Sequence, residues 1–210
     1  MKKEYLFVLI IGFSLISCKD TKDTNDTKDV KTNINNEIIE ENITSDTENS
    51  NFDITKIPLS NFKITEIPFY SLPTGYEYSH KENRDYESIR FWVENSFVLP
   101  EGNLFFGRII PSINKSFSAL ELTKNLDKVF TDAGAVKVFE GKVPLEAIKK
   151  NEDLYPITDY GLKANAYGFQ GFSKTWTYVI RQNNQNFWIQ LNESDDNASL
   201  HVAILKNQSY

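Results

Sequence analysis

The sequence has little of several residue types and motifs, and each shortage excludes a class of protein. It contains one cysteine, which excludes a disulfide within the chain and any zinc site built from several cysteines. It has no P-loop, G-x-G-x-x-G or G-x-S-x-G pattern, so nucleotide binding and serine-hydrolase chemistry have no motif to support them. Its longest apolar run, residues 5–16, is shorter than the about 20 residues that a membrane-spanning helix needs.

Aromatic residues and charge are distributed unevenly along the chain. Residues 19–50 contain no Phe, Tyr or Trp and carry four lysines against nine acidic residues, so they cannot bury enough apolar surface to fold. Residues 51–210 contain 25 of the 28 aromatic residues, with 17 basic residues against 19 acidic ones. This near-neutral balance argues against nucleic-acid binding. Only this last part can contain a hydrophobic core.

The N-terminal segment has the organisation of a secretory signal peptide. Lys2 and Lys3 precede the apolar run, which is followed by Leu15-Ile16-Ser17-Cys18. That string resembles the lipobox of bacterial lipoproteins, in which the cysteine receives diacylglycerol and, after cleavage, its amino group is acylated. The resemblance implies that Cys18 is the lipidation site and anchors the protein to a membrane, because each buried acyl methylene contributes about 0.8 kcal/mol. The alternative is an ordinary cleaved signal peptide with an incidental cysteine.

These features predict three parts: a signal peptide over 1–17, a lipidated cysteine with a disordered acidic tether over 18–51, and one globular domain over 52–210. The aspartates at every third position of the tether lack the alternate spacing and the turn glycine of a calcium loop. Lys19-Asp20 with the acids that follow resembles the export signal of surface lipoproteins in Bacteroidetes-type bacteria. We expect the protein in the outer membrane of the bacterial cell envelope, with a periplasmic or a surface-exposed domain as open alternatives.

The apolar spacing of the last part predicts an α+β domain with a mostly antiparallel sheet. The main helix, about 118–133, is indicated by Ser118 and Glu121 as a capping box, by an apolar stripe and by Gly134 as a C-terminal cap. A short second helix is predicted at about 144–150, opened by Pro144. The main helix is expected to pack on one face of the sheet. Strands are predicted near residues 89–93, 97–99, 104–110, 136–139, 175–181, 187–192 and 200–205.

The connections between these elements are also predicted from composition. Residues 54–58 and 64–68 form a short imperfect repeat in which alternating Ile and a final Pro predict edge strands or extended arms. Residues 79–86 are a polar stretch. Turns are predicted at residues 73–75, 100–102, 183–184 and 195–197.

Five segments of the last part stand out by their order and spacing: IPFYSLPTGY (67–76), FSALELTKNL (117–126), GAVKVFEGKVP (134–144), TYVIR (177–181) and FWIQL (187–191). That order and spacing resemble the domain that precedes the peptidoglycan-binding module of certain OmpA-like envelope proteins. The resemblance spans about residues 65–205, and it implies an envelope setting with no defined catalytic residues. The chain ends at Tyr210, so we do not expect the peptidoglycan-binding module.

Candidate catalytic and metal-ligating residues are few. His80 and His201 have no nearby HExxH or carboxylate partner, so surface or packing roles are expected for both. Glu193, Asp195 and Asp196 form the densest carboxylate cluster of the domain, where a glycosidase or divalent-metal site is conceivable. Their flanks fit a solvated hairpin turn better. We therefore predict no catalytic residue, metal site or cofactor.

Trp92, Trp176 and Trp188 lie in strand-like runs and allow two interpretations. An exposed row of them would form a recognition surface for a glycan or a protein. A core filled with large rings predicts the same composition, and we favour the core.

Together these observations predict a membrane-anchored envelope lipoprotein whose domain binds an envelope protein or glycan, or supports an assembly, without catalysis. One alternative is a hydrolase of a surface polymer that uses carboxylates brought together by the fold. Another is a protective or immunity lipoprotein. The sequence leaves the ligand and the oligomeric state open.

Overall fold

The computed structural model describes residues 52–154, 173–194 and 196–208. By its contacts the chain divides into two units, Met1–Thr44 and Ser45–Tyr210, and the described residues belong to the second. The predicted signal peptide, Cys18 and the tether lie outside the described residues. Neither helix described below has the length and apolar character needed to cross a membrane.

Most strands pair with the strand that precedes or follows them in the sequence. A short 3₁₀ helix comes first, and helices interrupt the strands twice. The elements are the 3₁₀ helix Ile54–Lys56, β1 Tyr76–Ser88, β2 Phe91–Val93, β3 Ser96–Val98, β4 Glu101–Pro111, α1 Ala119–Asp132, β5 Val136–Gly141, α2 Leu145–Leu154, β6 Thr175–Arg181, β7 Gln185–Glu193 and β8 Leu200–Gln208.

Six strands form one antiparallel sheet in the order β1-β4-β8-β7-β6-β5, and β2 pairs with β3 in a separate hairpin. The predicted α+β class and mostly antiparallel sheet are confirmed. Side chains alternate between the faces of a sheet. Tyr178 and Ile180 of β6 share an apolar cluster with α1, whereas Val179 shares one with Phe91 and Val93 of β2. We call these two sides the helix face and the hairpin face.

The apolar stripe of α1 covers the helix face, as predicted. Leu122, Leu126 and Phe130 are fully buried there at four-residue spacing. The Phe130 ring meets the rings of Tyr70 and Tyr178 edge-on, with centroids 5.3 Å apart in both pairs. Burying a side chain of this size contributes about 1.5–3 kcal/mol, so this stripe fixes the position of the helix on the sheet.

Both ends of α1 are capped, although one cap differs from the prediction. Ser118 accepts a hydrogen bond from the N–H of Glu121 (3.2 Å), but its own N–H donates to the hydroxyl of Tyr76 (3.3 Å). The Glu121 carboxylate instead contacts the ammonium group of Lys115 (2.9 Å). The reciprocal half of the predicted capping box is therefore wrong, because a tertiary contact from β1 replaces it.

The C-terminal cap at Gly134 is confirmed. Gly134 has φ +84°, its N–H donates to the carbonyl of Thr131, and the N–H of Ala135 donates to the carbonyl of Phe130, both at 2.9 Å. These two bonds form a Schellman motif. A Cβ at this position would lie 2.6 Å from the Ser60 hydroxyl oxygen, so the site requires glycine for space as well as for its dihedral angle.

The hairpin face is covered by β2 and by the segment that precedes β1. The Trp188 ring packs against the rings of Phe52 and Phe91, at centroid distances of 5.8 and 5.9 Å. The preceding segment crosses the end of β6, where the Ser60 N–H donates to the Arg181 carbonyl (2.7 Å). Its Ile57 joins the cluster of the hairpin face and its Ile64 joins that of the helix face.

Several predicted connections need correction. The edge strands predicted for the repeat at 54–58 and 64–68 are wrong, because residues 54–56 form a 3₁₀ helix and residues 66–68 lie in a bend. The polar stretch 79–86 belongs to β1, which pairs with β4 at the sheet edge. The predicted turn at 100–102 is wrong, since β4 starts at Glu101 and the hairpin turn lies at 94–95, with Glu94 at φ +48°.

The other connections agree with the prediction. Gly75 has φ +86° in the turn before β1, and the hairpin between β6 and β7 closes through the Gln182 N–H and the Gln185 carbonyl (2.9 Å). The second helix is confirmed and ends later than expected, at Leu154.

Candidate functional site

A groove of about 390 Å³ lies between α1 and the strands β5, β6 and β7. Its size is within the range of small-molecule sites in proteins. Leu120 of α1, which is 67% exposed, stands on its helix wall, and Trp176 and Tyr178 line it from the sheet. Six of its lining residues are charged, three of each sign: Lys124, Lys137, Lys174, Asp127, Glu140 and Glu193.

Two local features bring these charges into one groove. On α1, Leu120, Lys124 and Asp127 follow the four- and three-residue spacing that places side chains on the same helical face. On β5, the register against β6 shifts between Lys137 and Phe139. Lys137 then faces Tyr178 and Glu140 faces Trp176, so both line the groove although their separation of three would place them on opposite faces of a regular strand.

Four of the six charged groups form a continuous chain of ion pairs. The Lys137 ammonium lies 2.8 Å from Asp127 Oδ1 and 2.9 Å from Glu140 Oε2. Glu140 Oε1 lies 2.7 Å from the ammonium of Lys174. Tyr178 donates a hydrogen bond to Asp127 (2.8 Å). The chain therefore has two positive and two negative members, and it joins α1 to β5 and β6.

These contacts shift the pKa values of the groups. Hydrogen bonds from Lys174 and then Lys137 lower the pKa of Glu140 from 4.5 to about 2. Burial alone would lower the pKa of Lys137, but the hydrogen bonds to Asp127 and Glu140 outweigh it and raise that pKa. Burial, followed by the hydrogen bond to Asp127, raises the pKa of Tyr178. At neutral pH Glu140 and Lys137 are charged and Tyr178 is protonated.

The lysines of the chain also lie over aromatic rings. The Lys174 ammonium is 4.8 Å from the centroid of Trp176, and that of Lys137 is 5.7 Å from the centroid of Tyr178. Both distances allow a cation–π attraction. Each lysine is thus held by a carboxylate and a ring together, so the wall of the groove is preorganised.

The groove contains the pair of neighbouring carboxylates that the hydrolase alternative requires. Asp127 and Glu140 are bridged by one ammonium group, so they lie within two hydrogen-bond lengths of each other. A glycosidase general acid needs a raised pKa to carry its proton at neutral pH, and Glu140 has the opposite shift. The arrangement of this pair suits ion-pair recognition better than proton transfer.

The three tryptophans are buried, with 4–6% exposure, and they belong to three different clusters. Trp176 lies on the helix face and Trp188 on the hairpin face. Trp92 packs against Phe97 and Phe139, close to α2. The favoured core interpretation is confirmed, and the exposed aromatic row is wrong.

The predicted roles of the histidines agree with their positions. His80 is exposed on β1, and His201 is buried against the ring of Phe106 (5.8 Å). Arg108 lies between them in the sheet register. The structure therefore places one histidine on the surface and the other in a packing position.

The predicted carboxylate cluster separates in the structure. Glu193 lines the groove, Asp196 pairs with Arg108 at the turn, and Asp195 lies outside the described residues. Burial would raise the pKa of Asp196, but hydrogen bonds from the Ala198 N–H and Ser194, with the Arg108 charge, hold it below its ordinary value. The turn is confirmed by Asn197, which has φ +52°.

The hairpin face buries a second group of polar side chains that the sequence did not reveal. Thr175 donates a hydrogen bond to Asn192 Oδ1 (2.8 Å), and both residues are buried. Thr177 Oγ1 and Asn192 Nδ2 have no hydrogen-bond partner in the described part of the chain. Both atoms are fully buried, so this group is structural rather than open to a ligand from solvent.

The described residues contain no group of three or more His, Cys, Asp or Glu side chains that could hold a metal ion. No protein-family model matches the chain, and no curated protein matches its sequence. The resemblance of residues 65–205 to the domain of OmpA-like envelope proteins therefore stays a prediction.

Proposed function

We propose that this protein is a lipoprotein of the bacterial cell envelope, anchored in the outer membrane through Cys18, whose domain binds an envelope protein or glycan without catalysis. The groove beside α1 is the binding site. The preorganised chain of ion pairs along its wall carries this proposal.

The physical basis is the cost of ordering a binding site. Side chains that must be immobilised on association lose conformational entropy, which weakens binding by about 0.5–1.5 kcal/mol each. Lys137 and Lys174 are already held by carboxylates and rings in the free protein. The groove also places exposed Leu120 beside fixed charges, a combination that suits recognition of a partner surface.

Photo-cross-linking in intact cells tests the site. A photoreactive benzoylphenylalanine at Leu120, on the groove wall, is expected to form a specific adduct with an envelope component. The matched control places the same group at Leu145, an exposed leucine (51%) on α2 that does not line the groove. Adducts that are the same at both positions, or absent at Leu120, would contradict the groove as the binding site.

Labelling with radioactive palmitate tests the anchor separately. The wild-type protein is expected to incorporate the label and to fractionate with the outer membrane, and Cys18→Ser is expected to lose both properties. Equal labelling of the two proteins would exclude lipidation at Cys18. Protease treatment of intact cells then distinguishes a surface-exposed domain, which is digested, from a periplasmic one.

A further inference from the structure

Two charged groups in the groove differ from the other four. Lys124 on α1 and Glu193 at the end of β7 line the groove, and neither forms an ion pair with any residue in the described part of the chain. The remaining four neutralise one another. Among its described residues, the groove therefore presents one available ammonium group and one available carboxylate.

The two groups stand on different walls. Lys124 lies on the helix wall, one turn after Leu120. Glu193 lies on the sheet wall, where its backbone N–H donates to the carbonyl of Lys174 (3.0 Å) and fixes the end of β7. They are not within ion-pair distance of each other, so a ligand between them could contact both.

The four paired groups determine which ligands are disfavoured. A polyanion would have to compete with Asp127 and Glu140 for Lys137 and Lys174, and a polycation would have to compete for the carboxylates. Breaking a close pair leaves a charge without its partner, which is unfavourable in a partly desolvated site. Among the described residues that line the groove, only Lys124 and Glu193 can accept a new charged partner without such a loss, and the four paired groups form the rigid wall beside them.

We infer that the ligand of the groove is zwitterionic and peptide-like, with its carboxylate at Lys124, its ammonium group at Glu193 and an aliphatic part against Leu120. This inference rests on the proposed function of the groove as the binding site. It adds the chemical class of the ligand, which the proposed function leaves as an envelope protein or glycan.

Tri-alanine is the probe, since its free ends carry the two charges and its side chains are small. Binding to the full chain is measured by NMR shift changes and by the fluorescence of Trp176, in a background where Trp92 and Trp188 are replaced by Phe. A Kd of about 1 mM is expected for a ligand of this size. N-acetyl-tri-alanine and tri-alanine amide, which each lack one charge, are expected to bind about 5-fold more weakly.

The variants assign each end of the peptide to one residue. Lys124→Gln is expected to bind tri-alanine and its amide equally while it still discriminates against the N-acetyl form. Glu193→Gln is expected to show the reverse pattern. Lys128→Gln, an exposed α1 variant outside the groove, is the matched control and should keep both discriminations. Circular dichroism checks that each variant is folded.

Three results would overturn the inference: no binding of tri-alanine at 10-fold above the expected Kd, capped peptides that bind as well as the free one, or discrimination that survives in both groove variants. If cross-linking at Leu120 still captures an envelope component in that case, the proposed function stands and only the ligand class is wrong. If both experiments fail, the groove is not the binding site.

Discussion

The two faces of the sheet are both buried, but they differ in chemistry. On the helix face, β6, β7 and β8 present apolar side chains to the α1 stripe, and the charged groove lies at the rim of this contact. On the hairpin face, the same strands bury Thr175, Thr177 and Asn192 beside an apolar cluster around Trp188. Apolar contacts stabilise without regard to direction, whereas each buried polar atom needs a partner. The first face therefore tolerates a charged rim, and the second depends on individual hydrogen bonds.

The largest effect is expected from the packing of the helix face. Phe130→Ala removes a fully buried ring that contacts Tyr70 and Tyr178, and it should lower the free energy of unfolding by about 3–5 kcal/mol. Leu120→Ala, on the same helix but 67% exposed, should change it by less than about 0.5 kcal/mol. Urea denaturation measures both. Similar losses in the two variants would contradict the assigned packing of α1.

On the hairpin face, only one of two threonines in the same strand is expected to lose stability when its hydroxyl is removed. Thr175→Val removes the hydroxyl that donates to Asn192 and leaves a buried carbonyl oxygen without that bond, which should cost about 1–3 kcal/mol. Thr177→Val removes a buried hydroxyl that has no partner among the described residues, so stability should stay equal or rise by up to about 1 kcal/mol. Thermal denaturation of the pair provides the comparison. Equal destabilisation by both would show that Thr177 is hydrogen-bonded.

At the end of α1, Gly134→Ala tests the contact between the helix and the segment that precedes β1. The residue has φ +84°, and the added methyl group would meet the Ser60 side chain, so we expect a loss of about 1–2 kcal/mol. Ser60→Gly removes both atoms that the added methyl group would meet, Oγ at 2.6 Å and Cβ at 2.8 Å, so the same substitution in that background measures the dihedral cost without the steric one. If Gly134→Ala is as stable as the wild type, the Schellman motif is not required at this site.

The smallest effect concerns the rim of the helix face and is seen through pH. The pKa of Glu140 is lowered from 4.5 to about 2, so its ion pairs stabilise the protein above pH 4.5 and this contribution disappears as the pH falls to about 2. The side chain is 39% exposed, so solvent screening limits the contribution to about 0.2–1 kcal/mol.

Glu140→Gln should therefore lose less stability than the wild type between pH 4.5 and 2. Urea denaturation at several pH values measures the difference. Glu146→Gln, in an exposed α2 pair with Lys149 at 3.7 Å, is a suitable control. Parallel pH profiles for Glu140→Gln and the wild type would contradict the shifted pKa.

The predictable parts of the fold are those with strong local patterns. The apolar stripe and the glycine cap of α1 are local, and β6, β7 and β8 are short runs rich in β-branched and aromatic residues, which favour strands. β1 escaped prediction because an edge strand with two polar sides has no apolar alternation. The hairpin turn at 94–95 was missed because Glu94 adopts a positive φ that its residue type does not favour.

The candidate site was less predictable than the fold. Of its charged residues, only Glu193 stood out in the sequence, and there it was interpreted as part of a turn. The alternation of β5 would have placed Lys137 and Glu140 on opposite faces, and only the register shift against β6 brings them together. In the sequence, Lys124 and Asp127 cannot be told from the other polar residues of an amphipathic helix. Only the tertiary structure shows that they line a groove together with residues of the strands.

The sequence by itself determined the α+β class, the main helix and its ends, since these depend on side-chain periodicity and on capping residues within a few positions of each other. It also supplied the prediction of a lipid anchor at Cys18, which is a local motif. The tertiary structure decided where the three tryptophans pack, which threonine has a partner and which charges share the groove. These properties depend on contacts between residues far apart in the chain, and no local pattern encodes such distances.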